Sequence, residues 1–309
     1  MAVKKTSIPK SPKANSKGNQ KKKVSKPKQA KKNKKQTKKG SLSKLNENLK
    51  LVLLNLLWNR YTKSLLMLCA AVLFLYGFYC AFIRPSAYRW MPCYGNKSYG
   101  VCMPKKHSLH GIDVSRHQGK IDWDTLMGNS NPDFPLTFVF VKATEGGDFK
   151  DVNFDANFCE AKRVNLRRGA YHFFTPKTSA TKQAQHYMKT VKLQKGDLPP
   201  VLDVEILGDK SKQDISDSVL VWMNIIEKHY KVKPILYTSF KFKNRYLDAT
   251  EFDQYPFWIA HYYVGKLRYT GKWTFWQHSD IGRIKGINQD VDLNVFNGTI
   301  EELNALTIR

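Results

Sequence analysis

The run PPVLDVEIL, residues 199–207, places two acids, Asp203 and Glu205, in an otherwise apolar stretch. Burying an unpartnered carboxylate costs several kcal/mol or pushes its pKa upward, so most strands avoid it. On an extended strand residues i and i+2 share a face, so both carboxyls point the same way, about 6.6 Å apart along the chain. Like charges held together raise the proton affinity of one of them, and a carboxyl kept protonated near neutral pH can act as a donor. Glycoside cleavage requires this, because one acid must protonate the leaving oxygen. The plainer reading, an acid that caps a loop or pairs with a lysine, suits a single acid better than a D-x-E pair ending an apolar run.

Other chemistries lack their residues. The sequence has no G-x-S-x-G, no G-x-G-x-x-G, no P-loop and no cysteine pair with zinc-site spacing. His172 and His261 stand among the acids as strand-end histidines. Such histidines serve as hydrogen-bonded structural groups or substrate contacts rather than metal ligands. No metal and no cofactor is expected.

The acids must be positioned by something, and the texture of the chain from residue 107 onward says what. Eight short apolar runs follow one another, at 109–115, 138–144, 168–174, 198–205, 233–239, 256–262, 273–279 and 291–297. Early spacings of about 30 residues leave room for a helix between strands, and DVNFDANFCEAKRV, SATKQAQHYMKTVKL and ISDSVLVWMNIIEKHY read as such helices. Later spacings of about 20 residues do not. Apolar strands alternating with helices predict a parallel sheet buried on both faces, and eight of them predict a barrel with degenerate last units; an open doubly wound sheet is the alternative. Barrel sites form where strands end. The strand ends here supply Asp113, Lys142 to Glu145, Tyr171 to Phe173, Asp203 and Glu205, Tyr237, His261 to Tyr263, Gln277 to Ser279, and Asp292. Acids mixed with aromatics suit a sugar cleft, where rings pack against the apolar faces of pyranoses and carboxylates do the acid–base work.

The motifs GIDVSRHQGKIDW, FVFVKATEGGDFKDVNFDAN, RGAYHFF, PPVLDVE, PILYTS, FWIAHY and FWQHSDIGRIKGINQDVDLNVFNG occur in the order seen in glycoside hydrolase family 25. Residues 107–300 thus resemble the Chalaropsis-type lysozymes, which are N-acetylmuramidases. The resemblance implies an irregular TIM-like (β/α)5(β)3 barrel over 107–309. It also implies hydrolysis of the β-1,4 bond between N-acetylmuramic acid and N-acetylglucosamine in peptidoglycan glycan strands. Four acids carry over at matching motifs: Asp113, Asp203, Glu205 and Asp292, with Glu205 as general acid and Asp203 orienting or electrostatically supporting the reacting sugar. Tyr171, Tyr237, Trp258 and Gln277 resemble substrate-cleft residues, and His261 is expected as a further substrate contact. His278 departs from the family pattern, which has an aromatic residue after Gln277. Attack by the sugar's own 2-acetamido group and direct attack by water both stay open. A binding module that tethers membrane to wall without catalysis is the alternative, and the complete set of acids speaks against it.

The net charge of +27 sits mainly in the first 50 residues, which hold 18 Lys and one acid, Glu47. Residues 1–46 lack aromatics and nearly all aliphatics, so a disordered tail is expected, touching anionic lipid or nucleic acid only non-specifically. Residues 64–83 carry no charge; at 1.5 Å per residue, about 20 of them cross a bilayer core of roughly 30 Å. A transmembrane helix over 64–84 is therefore expected, preceded by a juxtamembrane amphipathic helix over 47–63. A cleaved signal peptide would need an n-region of about 60 residues and a small-residue cleavage site that is not there. The positive-inside rule keeps the Lys-rich tail in the cytoplasm, making a single-pass protein of the inner membrane with its barrel on the periplasmic side. Residues 85–106 read as a linker in which Cys93 and Cys102 flank a turn and can pair in an oxidising compartment. Cys159 is expected to be buried in the core.

Overall fold

The computed structural model describes residues 45–55, 59–83, 93 and 95–309. The tail expected over 1–46 lies almost entirely outside the described residues, as do residue 84 and residues 85–92 and 94 of the expected linker. The chain divides into two compact units, Met1–Ile83 and Arg84–Arg309.

In the first unit residues 45–55 are helical and exposed. A second helix, Arg60–Phe78, continues into a π-helical turn, Tyr79–Ile83. Its start is fixed by Asn59, whose side-chain oxygen accepts the Tyr61 N–H at 3.2 Å. The span Tyr61–Ile83, 23 residues, is the one helix among the described residues long and apolar enough to cross a membrane, and none of it is buried in protein.

The second unit opens with a hairpin of two short strands, β1 (Lys97–Ser98) and β2 (Val101–Cys102), closed by a Cys93–Cys102 disulfide. The hairpin is not a free linker. Tyr99, Val101 and Met103 are buried in the core that surrounds the barrel. The Tyr99 hydroxyl donates to the Phe134 carbonyl and accepts the Asn131 N–H, each at 2.8 Å.

Eight strands then close on themselves: β3 (His110–Val114), β4 (Leu136–Glu145), β6 (Arg167–Phe173), β7 (Val201–Asp203), β8 (Ile235–Ser239), β9 (Phe257–Ala260), β10 (Phe275–Gly282) and β11 (Val291–Phe296). The order is β3-β11-β10-β9-β8-β7-β6-β4, with β3 pairing β4 to complete the ring; β5 (Phe149–Lys150) is a flap on β4. Helices Trp123–Gly128, Phe154–Arg163, Ala180–Thr190, Lys212–Tyr230 and Phe240–Tyr246 follow the first five barrel strands, and none separates the last three. The barrel is thus (β/α)5(β)3. The expectation of a parallel sheet fails only at β11, which runs antiparallel to both neighbours. Residues 283–290 are too few for a parallel crossover, which needs a dozen or more.

Two packed regions hold the barrel. Outside, strand residues such as Val139, Val141 and Leu202 meet the helices. Inside, Phe138, Phe140, Phe275 and Trp258 fill the lower barrel, with Phe140 stacked on Trp258 at 4.5 Å between centroids. Glycines on adjacent strands make this filling possible. Gly111 sits opposite Phe138 and Gly169 opposite Phe140, and a Cβ on either glycine would lie 2.4 Å from the facing ring. Cys159 departs from expectation by being exposed. Helix Phe154–Arg163 buries Phe154, Asn157, Phe158 and Ala161, a stripe at helical spacing that leaves position 159 on the solvent side.

Candidate active site

With the lower barrel plugged by aromatics, a cleft remains at the C-terminal strand ends. Asp113, Tyr171, Asp203, Glu205, Tyr237, Trp258, Gln277 and Asp292 all line it. Eight of the nine site residues expected from the sequence therefore converge. The ninth, His261, is not among the lining residues. Its ring stacks on Phe240, centroids 4.5 Å apart and the ring planes nearly parallel.

Strand parity explains the split. On β9 and its extension Trp258, Ala260 and Tyr262 alternate inward, so Tyr262 enters the cleft and His261 faces away. The same count on β10 sends Phe275 and Gln277 in and Trp276 and His278 out, with the two outward rings 5.7 Å apart. His278 thus has no place in the cleft, and its departure from the family pattern leaves the lining unchanged. His172 also lies outside, buried against Trp222, with Nδ1 2.7 Å from Thr144 Oγ1 and Nε2 3.1 Å from Gln183 Oε1. Among the described residues no group of three His, Cys, Asp or Glu side chains is placed to hold a metal.

Asp113 and Asp292 face each other across the antiparallel β3–β11 ladder. Asp113 Oδ2 accepts from Asn294 Nδ2 at 2.7 Å and from Gln277 Nε2 at 2.8 Å. Trp258 Nε1, a donor only, takes Asn294 Oδ1 at 2.8 Å, so the Asn294 NH2 must point at Asp113, which serves as acceptor. The Tyr237 and Tyr262 hydroxyls donate to Gln277 Oε1 at 2.6 Å, leaving its NH2 toward Asp113. Burial pushes Asp113 up to about 6, against the pull of those two bonds. Asp292 is pushed up to about 9 by burial first and the Asp113 charge second. Burial and mutual repulsion keep the two carboxyls from ionising together, which favours one proton shared by the pair.

Strand β7 ends at Asp203, so Glu205 stands beyond it rather than on it. The alternation survives because the chain stays pinned: Val204 N–H bonds the Tyr237 carbonyl at 3.0 Å and Thr238 Oγ1 bonds the Val204 carbonyl at 2.6 Å. Val204 points into the core, and Asp203 and Glu205 both face the cleft. Asp203 is buried, with Oδ1 lacking a hydrogen-bond partner, and is held well above the usual carboxylate range by burial and then by Glu205. Burial also raises Glu205, opposed by the neighbouring Tyr237 hydroxyl and by the Lys142 charge.

Sequence reasoning did not single out Lys142, Phe173, Tyr262, Ser115 and His117, which complete the lining. The first three lie inside strand-end runs already recognised as candidates, and only the inward phase was missing. Counting by twos from Trp258 reaches Tyr262, and counting by twos from Tyr171 reaches Phe173.

Residues 112–287 match the model of the glycosyl hydrolases family 25. The chain belongs to that family. Over 210 residues it is 44% identical to an uncharacterized protein, YegX, of Escherichia coli strain K12, a match spanning 68% of this chain and 77% of that one. It is 34% identical over 213 residues to Lysozyme M1 of Streptomyces globisporus, covering 64% and 71% of the two chains. The crystal structure of a bacterial lysozyme from Streptomyces coelicolor superposes with a TM-score of 0.61 at 31% identity, covering 66% of this chain and 98% of that one. The family 25 membership makes the chain a glycoside hydrolase, and the acid-lined cleft is where its barrel concentrates titratable groups.

Proposed function

We propose that this chain is a membrane-anchored muramidase that cleaves the β-1,4 bond between N-acetylmuramic acid and N-acetylglucosamine in peptidoglycan. Glu205 is the general acid. Its proton passes to the glycosidic oxygen as the bond from that oxygen to the anomeric carbon breaks, and the electron pair stays on the leaving oxygen. Asp203 supports the positive charge developing on the muramic acid, or orients its acetamido group, and the acid's role is the same on either route. Asp113, paired with Asp292 across the ladder, anchors the Gln277 and Asn294 amides. Tyr171, Tyr237 and Trp258 supply ring surface for the sugars.

The observation that carries this reading is the environment of the D-x-E pair. Both carboxyls face one cleft, and burial favours the protonated form of each. A general acid needs to keep its proton until the substrate arrives. Glu205→Gln keeps shape and removes the proton; release of reducing ends from purified peptidoglycan should fall by about 10²-fold or more with an unchanged melting temperature. Near-normal release would refute the assignment.

The anchor and location belong to the same proposal. The exposed apolar face of Tyr61–Ile83 suits lipid rather than water, and the Lys-rich tail suits the anionic cytoplasmic leaflet. This leaves the barrel on the periplasmic side, where the Cys93–Cys102 disulfide is chemically at home.

A further inference from the structure

The cleft is crowded with acids yet has one fixed cation. Lys142 projects into it from β4 with a side chain only 12% exposed, its Nζ 2.7 Å from Glu145 Oε2 and 4.7 Å from the centre of the Phe173 ring. That ion pair exists because of an irregularity in the strand. Residues three apart on a regular strand face opposite sides. Along β4 and β6, however, Lys142 pairs with Tyr171 and Thr144 with His172, so Ala143 is one residue too many. This bulge turns Thr144 outward to His172 and returns Glu145 to the side of Lys142.

We propose that the Lys142–Glu145 pair is an electrostatic counterweight that sets the pH range in which the cleft works, with Lys142 as a positioning residue and Glu145 as the brake on its charge. The inference rests on the assignment of Glu205 and Asp203 given above. The groups facing Lys142 across the cleft are Asp113 and the exposed His117 at and after β3, Asp203 and Glu205 at and beyond β7, Asp292 on β11, and three phenols. Burial holds Tyr171, Tyr237 and Tyr262 protonated throughout the working range, so they add no charge. Lys142 favours the ionised forms of both Asp203 and Glu205, while Glu145 opposes ionisation of Asp203. Lys142 and Glu145 therefore act on the same acid with opposite signs.

The test uses the full chain in detergent, with kcat and kcat/KM measured on purified peptidoglycan from pH 4 to 9 at fixed ionic strength. Lys142→Met should move the activity profile to higher pH by roughly one unit. Glu145→Gln should move it to lower pH, and Lys142→Arg, which keeps the charge, should stay close to wild type. Carboxyl titrations of Asp203 and Glu205 by 13C NMR should move in the same directions as the profiles. Glu145→Gln changes a half-exposed side chain, so it provides a folded variant even if Lys142→Met is unstable. Profiles and titrations that superimpose on wild type, or that shift the same way in Lys142→Met and Glu145→Gln, overturn the proposal. Titrations that shift as stated while the activity profiles do not would uphold the counterweight and overturn the assignment of the catalytic acids instead.

Discussion

Asp292 shows what a cleft residue costs its own fold. Its carboxyl is pushed up to about 9, mainly by burial, from an unfolded value near 3.9. The folded state therefore binds this proton more tightly than the unfolded chain does. The associated stability is fully present at acid pH and is lost progressively as pH rises from about 4 toward 9. Asp292→Asn mimics the protonated form at every pH. Its melting temperature should match wild type near pH 4 and exceed it increasingly toward pH 9; a variant less stable than wild type at pH 9 would contradict this account. Most of the site was legible at this scale. Asp113, Asp203 and Asp292 are acids in apolar strands and Glu205 stands just beyond one, a pattern with few other uses. His261, expected in the cleft, stacks on Phe240 instead, because residue type identifies a strand end but not its phase.

The same distinction governs the elements. Eight strands and three of the helices can be read from spacing and apolar runs, because burial on both faces makes each strand continuously apolar; the count of five helices comes from the family resemblance. Three features could not be read that way. The antiparallel direction of β11 depends on the short 283–290 connection, the bulge at Ala143 on its register with β6, and the burial of the hairpin at Tyr99 on a partner loop far along the chain. The pairing of Gly169 with Phe140 is equally a matter of register. Gly169→Ala would place a methyl 2.4 Å from the Phe140 ring inside the barrel. Overpacking of this kind costs roughly 1–3 kcal/mol, so the urea midpoint should fall measurably with the m-value kept. An unchanged midpoint would mean that the aromatic plug is loose.

At the scale of the whole chain, two units of opposite surface chemistry share one polypeptide. Leu65, Phe74 and Phe82 are exposed on the first, while Phe138, Phe140 and Phe275 are fully buried in the second. The full chain should stay with membranes after an alkaline carbonate wash, and a variant lacking residues 60–83 should be extracted. Extraction of the full chain would remove the anchor from the proposed function. The sequence alone determined the apolar span, the basic tail, the eight apolar strands of a barrel and the acids that ring its mouth. These follow from composition and from local periodicity, which burial imposes residue by residue. Only the tertiary structure decided that Gln277 and Asn294 aim their amides at Asp113, that Tyr262 enters the cleft while His261 leaves it, and that Lys142 meets Glu145 there. Each depends on register between strands distant in sequence, a property of the pairing rather than of any one segment.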